Sequence, residues 1–249
     1  MVQVKNVNIG EGIPKICVPI VAQNTEQIVE QAVELLEMPF DLLELRIDYF
    51  DNIDASYIKN AILILKNIIS KPVILTFRTA YEGGEREIIP EDYKNLLIDI
   101  VKTEIVDILD VEMFIGDEIV ESIVAEAHLH GTKVIISNHD FEKTPSEDEI
   151  IKRLTKMQKL MCDIAKIAVM PRNMYDVITL LKATLKANEQ LGVPIVTMSM
   201  SDKGMVSRMA GEVFGSSITF GSGRQASAPG QINVSDLRKV LDIIHAEEN

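Results

Sequence analysis

Eight times along this chain a short run rich in β-branched residues is followed by a longer stretch of helical period. That alternation restricts the fold more than any other feature, because repeated strand–helix units bury both sequence patterns only when helices cover a parallel sheet. The runs are Lys15 to Ile20, Leu42 to Asp48, Val73 to Arg78, Ile105 to Val111, Lys133 to Ser137, Ile164 to Val169, Ile195 to Met200 and Ser217 to Phe220. Helix start signals stand between them: Asn24 with Gln27, Pro90 ahead of Glu91 and Asp92, Ser146 with Glu149, and Ser235 with Asp236. Gly131 and Gly192 stand where two helices should stop. Eight such pairs in 249 residues fit a closed (β/α)8 TIM barrel better than an open sheet, which usually has fewer strands. Residues 1–249 are expected as one barrel domain, with the alternating apolar and polar residues 1–12 as a short N-terminal hairpin closing its bottom.

Charge and cysteine usage narrow the function. A formal net charge of −13 without a local Lys/Arg cluster argues against nucleic acid and anionic lipid. Lys66 and Asp110 break the longest apolar runs, and residues 1–12 lack the apolar core of a secretion signal, so a cytoplasmic protein is expected. Cys17 and Cys162 lie 145 positions apart in apolar segments and read as buried free thiols. The expected partner is a small molecule.

In a barrel of this kind the chemistry gathers where strands meet their following loops. The polar strand ends carry Glu44, Arg46 and Asp48; Thr76 and Arg78; Glu112; His139 and Asp140; and Lys166. Lys166 lies within Ile164 to Val169, an otherwise apolar strand, and burial of an amine favours its uncharged, nucleophilic form. Read alone, an ion pair or a snorkelling side chain is the better reading, and the neighbouring polar residues shift the balance. His139 ends the preceding strand and therefore neighbours Lys166; it is either a proton carrier or a hydrogen-bonded turn residue. His128 and His130, two apart on a helix, face different ways and read as C-terminal helix residues.

Glu44 and Arg46 share a strand face and either pair or contact a polyhydroxylated ligand. Arg78 with Glu82, and Arg208, are further candidates to anchor an acidic group. Gly221 to Gln231 follows the last strand and loosely matches a dinucleotide fingerprint, but Pro229 and Gly230 forbid the helix that reading needs. It is expected instead as a mobile loop over the barrel mouth, with Ser227 and Gln231 able to reach a ligand. A strand lysine with three arginines is also compatible with a Schiff-base aldolase or with a barrel that binds a small acid without catalysis.

The ordered set ELRID (Glu44 to Asp48), TFRTAYEGGE (Thr76 to Glu85), SNHDFEKTP (Ser137 to Pro145), AKIAVMP (Ala165 to Pro171), TMSM (Thr197 to Met200), SRMAGEVFGSSITFG (Ser207 to Gly221) and SAPGQ (Ser227 to Gln231) resembles the type I 3-dehydroquinate dehydratase family. The resemblance spans nearly the whole chain. It implies a shikimate-pathway lyase that dehydrates 3-dehydroquinate through an imine on Lys166, with His139 as general acid and base and Glu82 orienting it. It also implies that Arg208 and Gln231 hold the substrate carboxylate and that Glu44, Arg46 and Arg78 hold ring hydroxyls. Met198, Phe220, Ser227 and Ala228 would line or cover the pocket. The family implies no metal, no dissociable cofactor and a homodimer.

Overall fold

The computed structural model describes residues 1–223 and 230–248. Two antiparallel strands, β1 (Val2–Val4) and β2 (Val7–Ile9), precede the parallel strands β3 (Lys15–Val21), β4 (Leu42–Arg46), β5 (Val73–Thr76), β6 (Ile108–Glu112), β7 (Lys133–Asp140), β8 (Ile164–Val169), β9 (Ile195–Ser199) and β10 (Ile218–Ser222). A two-residue strand, β11 (Ile232–Asn233), pairs in parallel with Gly221 and Ser222 at the end of β10. Each strand from β3 to β8 pairs in parallel with the next, and β10 pairs with β3. A bridge from Ile195 to Ser216 and the bond from Ser217 N to Ile195 O (2.8 Å) join the first residue of β9 to the approach of β10 and close the ring. This is the expected eight-stranded barrel.

Helices α1 (Thr25–Leu35), α2 (Ala55–Ile68), α3 (Pro90–Val101), α4 (Asp117–Leu129), α5 (Glu147–Lys159) and α6 (Met174–Gln190) return the chain between strands. After β9 come the short α7 (Met205–Met209) and α8 (Gly211–Phe214), and α9 (Val234–Glu248) ends the described chain. Three of the four expected start signals operate: Asn24 Oδ1 accepts from Gln27 N, Ser146 Oγ accepts from Glu149 N, and Pro90 occupies the first turn of α3. At the fourth, α9 already begins at Val234 and Asn233 Oδ1 accepts from Ser235 N (2.9 Å), so Ser235 lies inside the first turn. A full capping box between Asn173 and Asp176 starts α6 and was not among those expectations. Among the described residues, no helix is long and apolar enough to cross a membrane.

Strand parity positions the site. Successive side chains alternate across a strand, so one residue in two faces the barrel interior. At the N-terminal end the inward set is apolar: Cys17, Leu42, Ile74, Ile108, Ile135, Ile164, Val196 and Ile218, all buried. Val4 and Ile9 pack against this layer, so the hairpin closes the bottom as expected. Each fully buried aliphatic side chain contributes roughly 1.5–3 kcal/mol. The opposite parity, including Leu43, Leu45, Leu75, Leu109, Val111, Ile136 and Ile167, packs outward beneath the helices. Both cysteines are buried free thiols.

Several strand ends depart from the sequence reading, β5 stopping two residues early at Thr76 and β10 running two further to Ser222; three others show a clear cause. β4 stops at Arg46, because Asp48 turns inward in a 3-10 turn (Ile47–Tyr49) and accepts from Arg46 Nε (2.8 Å) and Arg78 N (3.3 Å). β6 begins at Ile108 rather than Ile105. Asp107 just before it is engaged by Lys66 Nζ (2.9 Å) and Val73 N (3.0 Å), which anchors the approach from outside the ladder. β7 runs three residues further than expected, through Asp140, because Asn138 to Asp140 continue the ladder beside Ile167 to Val169.

Candidate active site

Above the apolar layer the inward positions become polar. Glu44 on β4, Thr76 on β5, Asp110 on β6, Ser137 on β7 and Lys166 on β8 are all buried. Lys166 Nζ sits 3.1 Å from Asp110 Oδ2, 3.4 Å from Glu44 Oε1, and 4.5 Å from the ring centre of Phe220. Thr76 Oγ1 donates to the same Glu44 oxygen (3.1 Å). The apolar neighbours of Lys166 in sequence point outward, and the amine itself lies among carboxylates. The ion pair is thus realised, in a cavity and in contact with an aromatic face.

His139 stands two residues beyond Ser137, whose register partner is Lys166, so both side chains face inward on adjacent strands. Glu82 reaches it from a 3-10 turn (Ala80–Glu82) after β5: Oε2 accepts from His139 N (2.8 Å) and lies 3.0 Å from Nδ1, while Oε1 accepts from Asn138 Nδ2 (3.1 Å). Three N–H groups converging on one carboxylate assign the imidazole proton to Nδ1 and leave Nε2 for a ligand. Asn138 is itself fixed, its Oδ1 accepting from Arg153 Nη1 (2.9 Å) on α5.

The electrostatics follow from this crowding. Burial, reinforced by the charges of Arg78, Lys166 and Arg46, holds His139 well below the usual imidazole range, so it rests neutral. Burial raises Glu82 to about 7, against the opposing pull of Arg78 and with Glu112 adding to the rise. For Asp110 burial acts upward, but Arg78 and Lys166 outweigh it and its pKa is lowered. Burial lowers Arg208 to about 10.

Two tight turns make the Glu82 loop possible. Gly83 has φ +84° and lies against the Phe141 ring; at Gly84 a Cβ would come 1.9 Å from the Arg78 carbonyl oxygen. Gly84 N in turn donates to Thr79 O (2.8 Å), and Ala80 N to Arg86 O (2.7 Å).

The cavity over Lys166 is lined by Glu44, Arg46, Arg78, Glu82, His139, Met198, Met200, Arg208, Phe220 and Gln231, together with Gly83, Phe141 and Ala168. Ten of the twelve sequence-derived site residues therefore meet in one place. The other two, Ser227 and Ala228, fall outside the described residues. Glu44 and Arg46 do not pair: Arg46 makes a bidentate contact with Asp48 (2.8 and 2.7 Å) and lies 5.0 Å from the Tyr49 ring centre. Arg78 is engaged inward by Asp110 (2.8 Å), Glu112 (3.0 Å) and Ser137 (3.0 Å). Arg208 Nη1 contacts Met198 Sδ (3.8 Å) and Phe220 O (3.5 Å). Gly230, at φ +75°, is so close to Ser201 that a Cβ would meet its carbonyl oxygen at 2.3 Å, and Gln231 follows it into the cavity wall.

The sequence reading passed over Asp110, Ser137 and Asn138. Asp110 did carry a signal, since it shares strand parity with Ile108 and Glu112. Asn138 carried none, because its role depends on Arg153, fifteen positions away on a helix.

Residues 16–248 match the family model described as type I 3-dehydroquinase. A 3-dehydroquinate dehydratase of Clostridium botulinum is 50% identical over 248 residues, covering 98% of each chain. One of Clostridioides difficile is 47% identical over all of this chain and 98% of its own. A crystal structure of the type I 3-dehydroquinate dehydratase from Clostridium difficile, with covalent modified comenic acid, superposes with a TM-score of 0.96 at 46% identity, covering 99% of this chain and 98% of that one. The 3-dehydroquinate dehydratase of Enterococcus faecalis gives 0.91 at 43% identity, over 98% and 99%.

Proposed function

Because the chain belongs to the type I 3-dehydroquinase family, we propose that it dehydrates 3-dehydroquinate to 3-dehydroshikimate through an imine on Lys166, with His139 moving the protons. The observation that carries this reading is the meeting of a buried amine and a neutral imidazole, on adjacent strands, in one cavity. In this mechanism Nζ of Lys166 attacks the ring ketone, the ketone oxygen leaves as water, and the nitrogen becomes an iminium. His139 Nε2 removes a proton from the neighbouring carbon; the C–H electron pair becomes the enamine C=C bond while the C=N π pair moves onto nitrogen. The enamine then expels the hydroxyl from the next carbon; the imidazolium gives that hydroxyl its proton, and a second water departs. Hydrolysis of the new iminium frees the product and the amine.

Glu82 orients this base through Nδ1 and favours the transient imidazolium by its charge, while the two bonds to His139 N and Asn138 fix its own direction. Arg208 and Gln231 take the substrate carboxylate, which would offset the burial of the Arg208 guanidinium. Glu44 and Arg46 take ring hydroxyls. Arg78 joins the reading mainly as the internal cation that holds Asp110 and Glu112 in place, and Met198 and Phe220 supply apolar walls. The same reading includes Ser227 and Ala228 as covering residues, a cytoplasmic enzyme, and a homodimer; a monomer mass in sedimentation would remove the last.

Borohydride reduction in the presence of 3-dehydroquinate, followed by peptide mass mapping, tests the covalent step. The added mass is expected on the peptide containing Lys166. A label elsewhere, or none while turnover continues, would defeat the imine.

A further inference from the structure

We propose that Asp110 is a further catalytic residue, the fixed counter-ion of the positive nitrogen that forms on Lys166 during the reaction. The inference rests on the imine reading above and names the group that carries the opposing charge. Asp110 is fully buried, and its two oxygens are used differently. Oδ1 accepts from Arg78 Nη2 (2.8 Å) and Ser137 Oγ (2.6 Å), which fixes the carboxylate. Oδ2 is thereby turned toward Lys166 Nζ at 3.1 Å. Glu44, the other acid at this nitrogen, stands at 3.4 Å and shares that oxygen with the Thr76 hydroxyl. Among the described residues, Asp110 is the one carboxylate that pairs with both Lys166 and Arg78.

The charge on nitrogen changes twice between imine formation and hydrolysis. It is positive in the iminium, neutral in the enamine, and positive again when the protonated hydroxyl leaves as water. No proton passes to Asp110 in any of these steps. The groups that act on it are Arg78 from beyond β5, Ser137 from β7 and Lys166 from β8, and its charge is felt by Cys17 from β3 and Tyr93 from α3; Glu44 from β4 shares its lysine, and Glu82 and Glu112 share its arginine. Arg78 and Lys166 outweigh the effect of burial and keep Asp110 ionised, so it is a poor proton acceptor and a constant negative charge. Such a charge favours the protonated iminium over the neutral imine, and the iminium is the better electron sink.

Asp110→Asn keeps the shape and removes the charge. The kcat is expected to fall on the order of a hundredfold, the scale of losing one fixed electrostatic contact to a reacting group. The alkaline limb of the kcat profile is expected to move to lower pH by about one unit or more, while thermal unfolding remains cooperative. A lost kcat with an unmoved alkaline limb makes Asp110 a packing residue and overturns the proposal, as does an unchanged kcat. If the variant does not fold, the wild type decides. Cyanoborohydride reduces iminium and leaves neutral imine, so trapping on Lys166 with 3-dehydroquinate should persist to about pH 9; a decline setting in below about pH 8 overturns the counter-ion. No Lys166 adduct with either hydride would instead defeat the imine reading and take this role with it.

Discussion

Replacing Glu82 with Gln removes one charge from the centre of the His139 network and leaves its volume unchanged. The three N–H groups that converge on the carboxylate, from His139 N, His139 Nδ1 and Asn138 Nδ2, cannot all be satisfied by an amide with one oxygen. Rotating Asn138 does not help, because its own oxygen is held by Arg153. At the 3.0 Å separation seen here, a full imidazolium–carboxylate attraction at an effective dielectric of ~20 has an upper bound of about 5.5 kcal/mol. Opposite charges at such distances shift a partner by roughly 1–3 pKa units, or about 1.4–4 kcal/mol, so kcat should fall between about tenfold and a thousandfold. KM should change little, since Glu82 supports the base. The pH profile adds an independent check. Glu82 is raised to about 7, so as pH falls through that value its carboxyl takes a proton, Nδ1–H loses a charged acceptor, and the rate declines. His139 lies well below that range and does not account for the limb. Steady-state assays following the conjugated enone product by ultraviolet absorbance from acid to neutral pH should show this limb in the wild type and its loss in Glu82→Gln. A variant with kcat within about threefold of wild type and the same limb would refute the argument.

Three further outcomes follow from the same geometry. His139→Ala should let imine form while elimination stalls, so a covalent adduct accumulates by intact mass; dehydration at a near-normal rate would mean another base. Gln231→Ala should raise KM and lower kcat/KM by a cost on the order of 1–3 kcal/mol if its amide bonds the carboxylate, whereas unchanged kinetics would return it to a structural position in the cavity wall. Gly84→Ala should destabilise the fold by about 1–3 kcal/mol, because its methyl meets the Arg78 carbonyl rather than a yielding side chain; an unchanged melting temperature would show that the turn relaxes freely.

Strand–helix alternation made the barrel legible, because parity and period are local properties of the chain. The strand ends were less so. Asp48 reads as the last residue of a strand until Arg46 and the Arg78 amide compete for its carboxylate and turn it inward. Asn138 to Asp140 read as a loop until a neighbouring strand supplies their ladder. Lys166 shows the same limit at the site. Its sequence neighbours are apolar, so an apolar setting follows from the local pattern, yet its spatial neighbours Asp110 and Glu44 come from positions 56 and 122 residues away. Long-range pairing of this kind leaves no periodic trace. The resemblance carried Glu82 to His139, and the fold supplies the physical reason through a turn that two glycines permit.

Following single strands upward shows how one face serves both stability and chemistry. On β4 the inward series is Leu42, Glu44, Arg46; on β6 it is Ile108, Asp110, Glu112; on β7 it is Ile135, Ser137, His139; on β8 it is Ile164, Lys166, Ala168. Every series begins apolar against the hairpin and turns polar one step higher. A buried charge left alone costs several kcal/mol, so this polar step is tenable only if its members satisfy one another. They do: Asp110 answers Arg78, Ser137 and Lys166, Glu44 answers Thr76 and Lys166, and Glu112 answers Arg78 and the Thr79 amide and hydroxyl. The rigid apolar floor and this closed polar layer together hold Lys166 and His139 in fixed relation before any substrate arrives. Reorganisation is thereby largely completed during folding, and the charges that develop at the ring meet dipoles and ions already set in place.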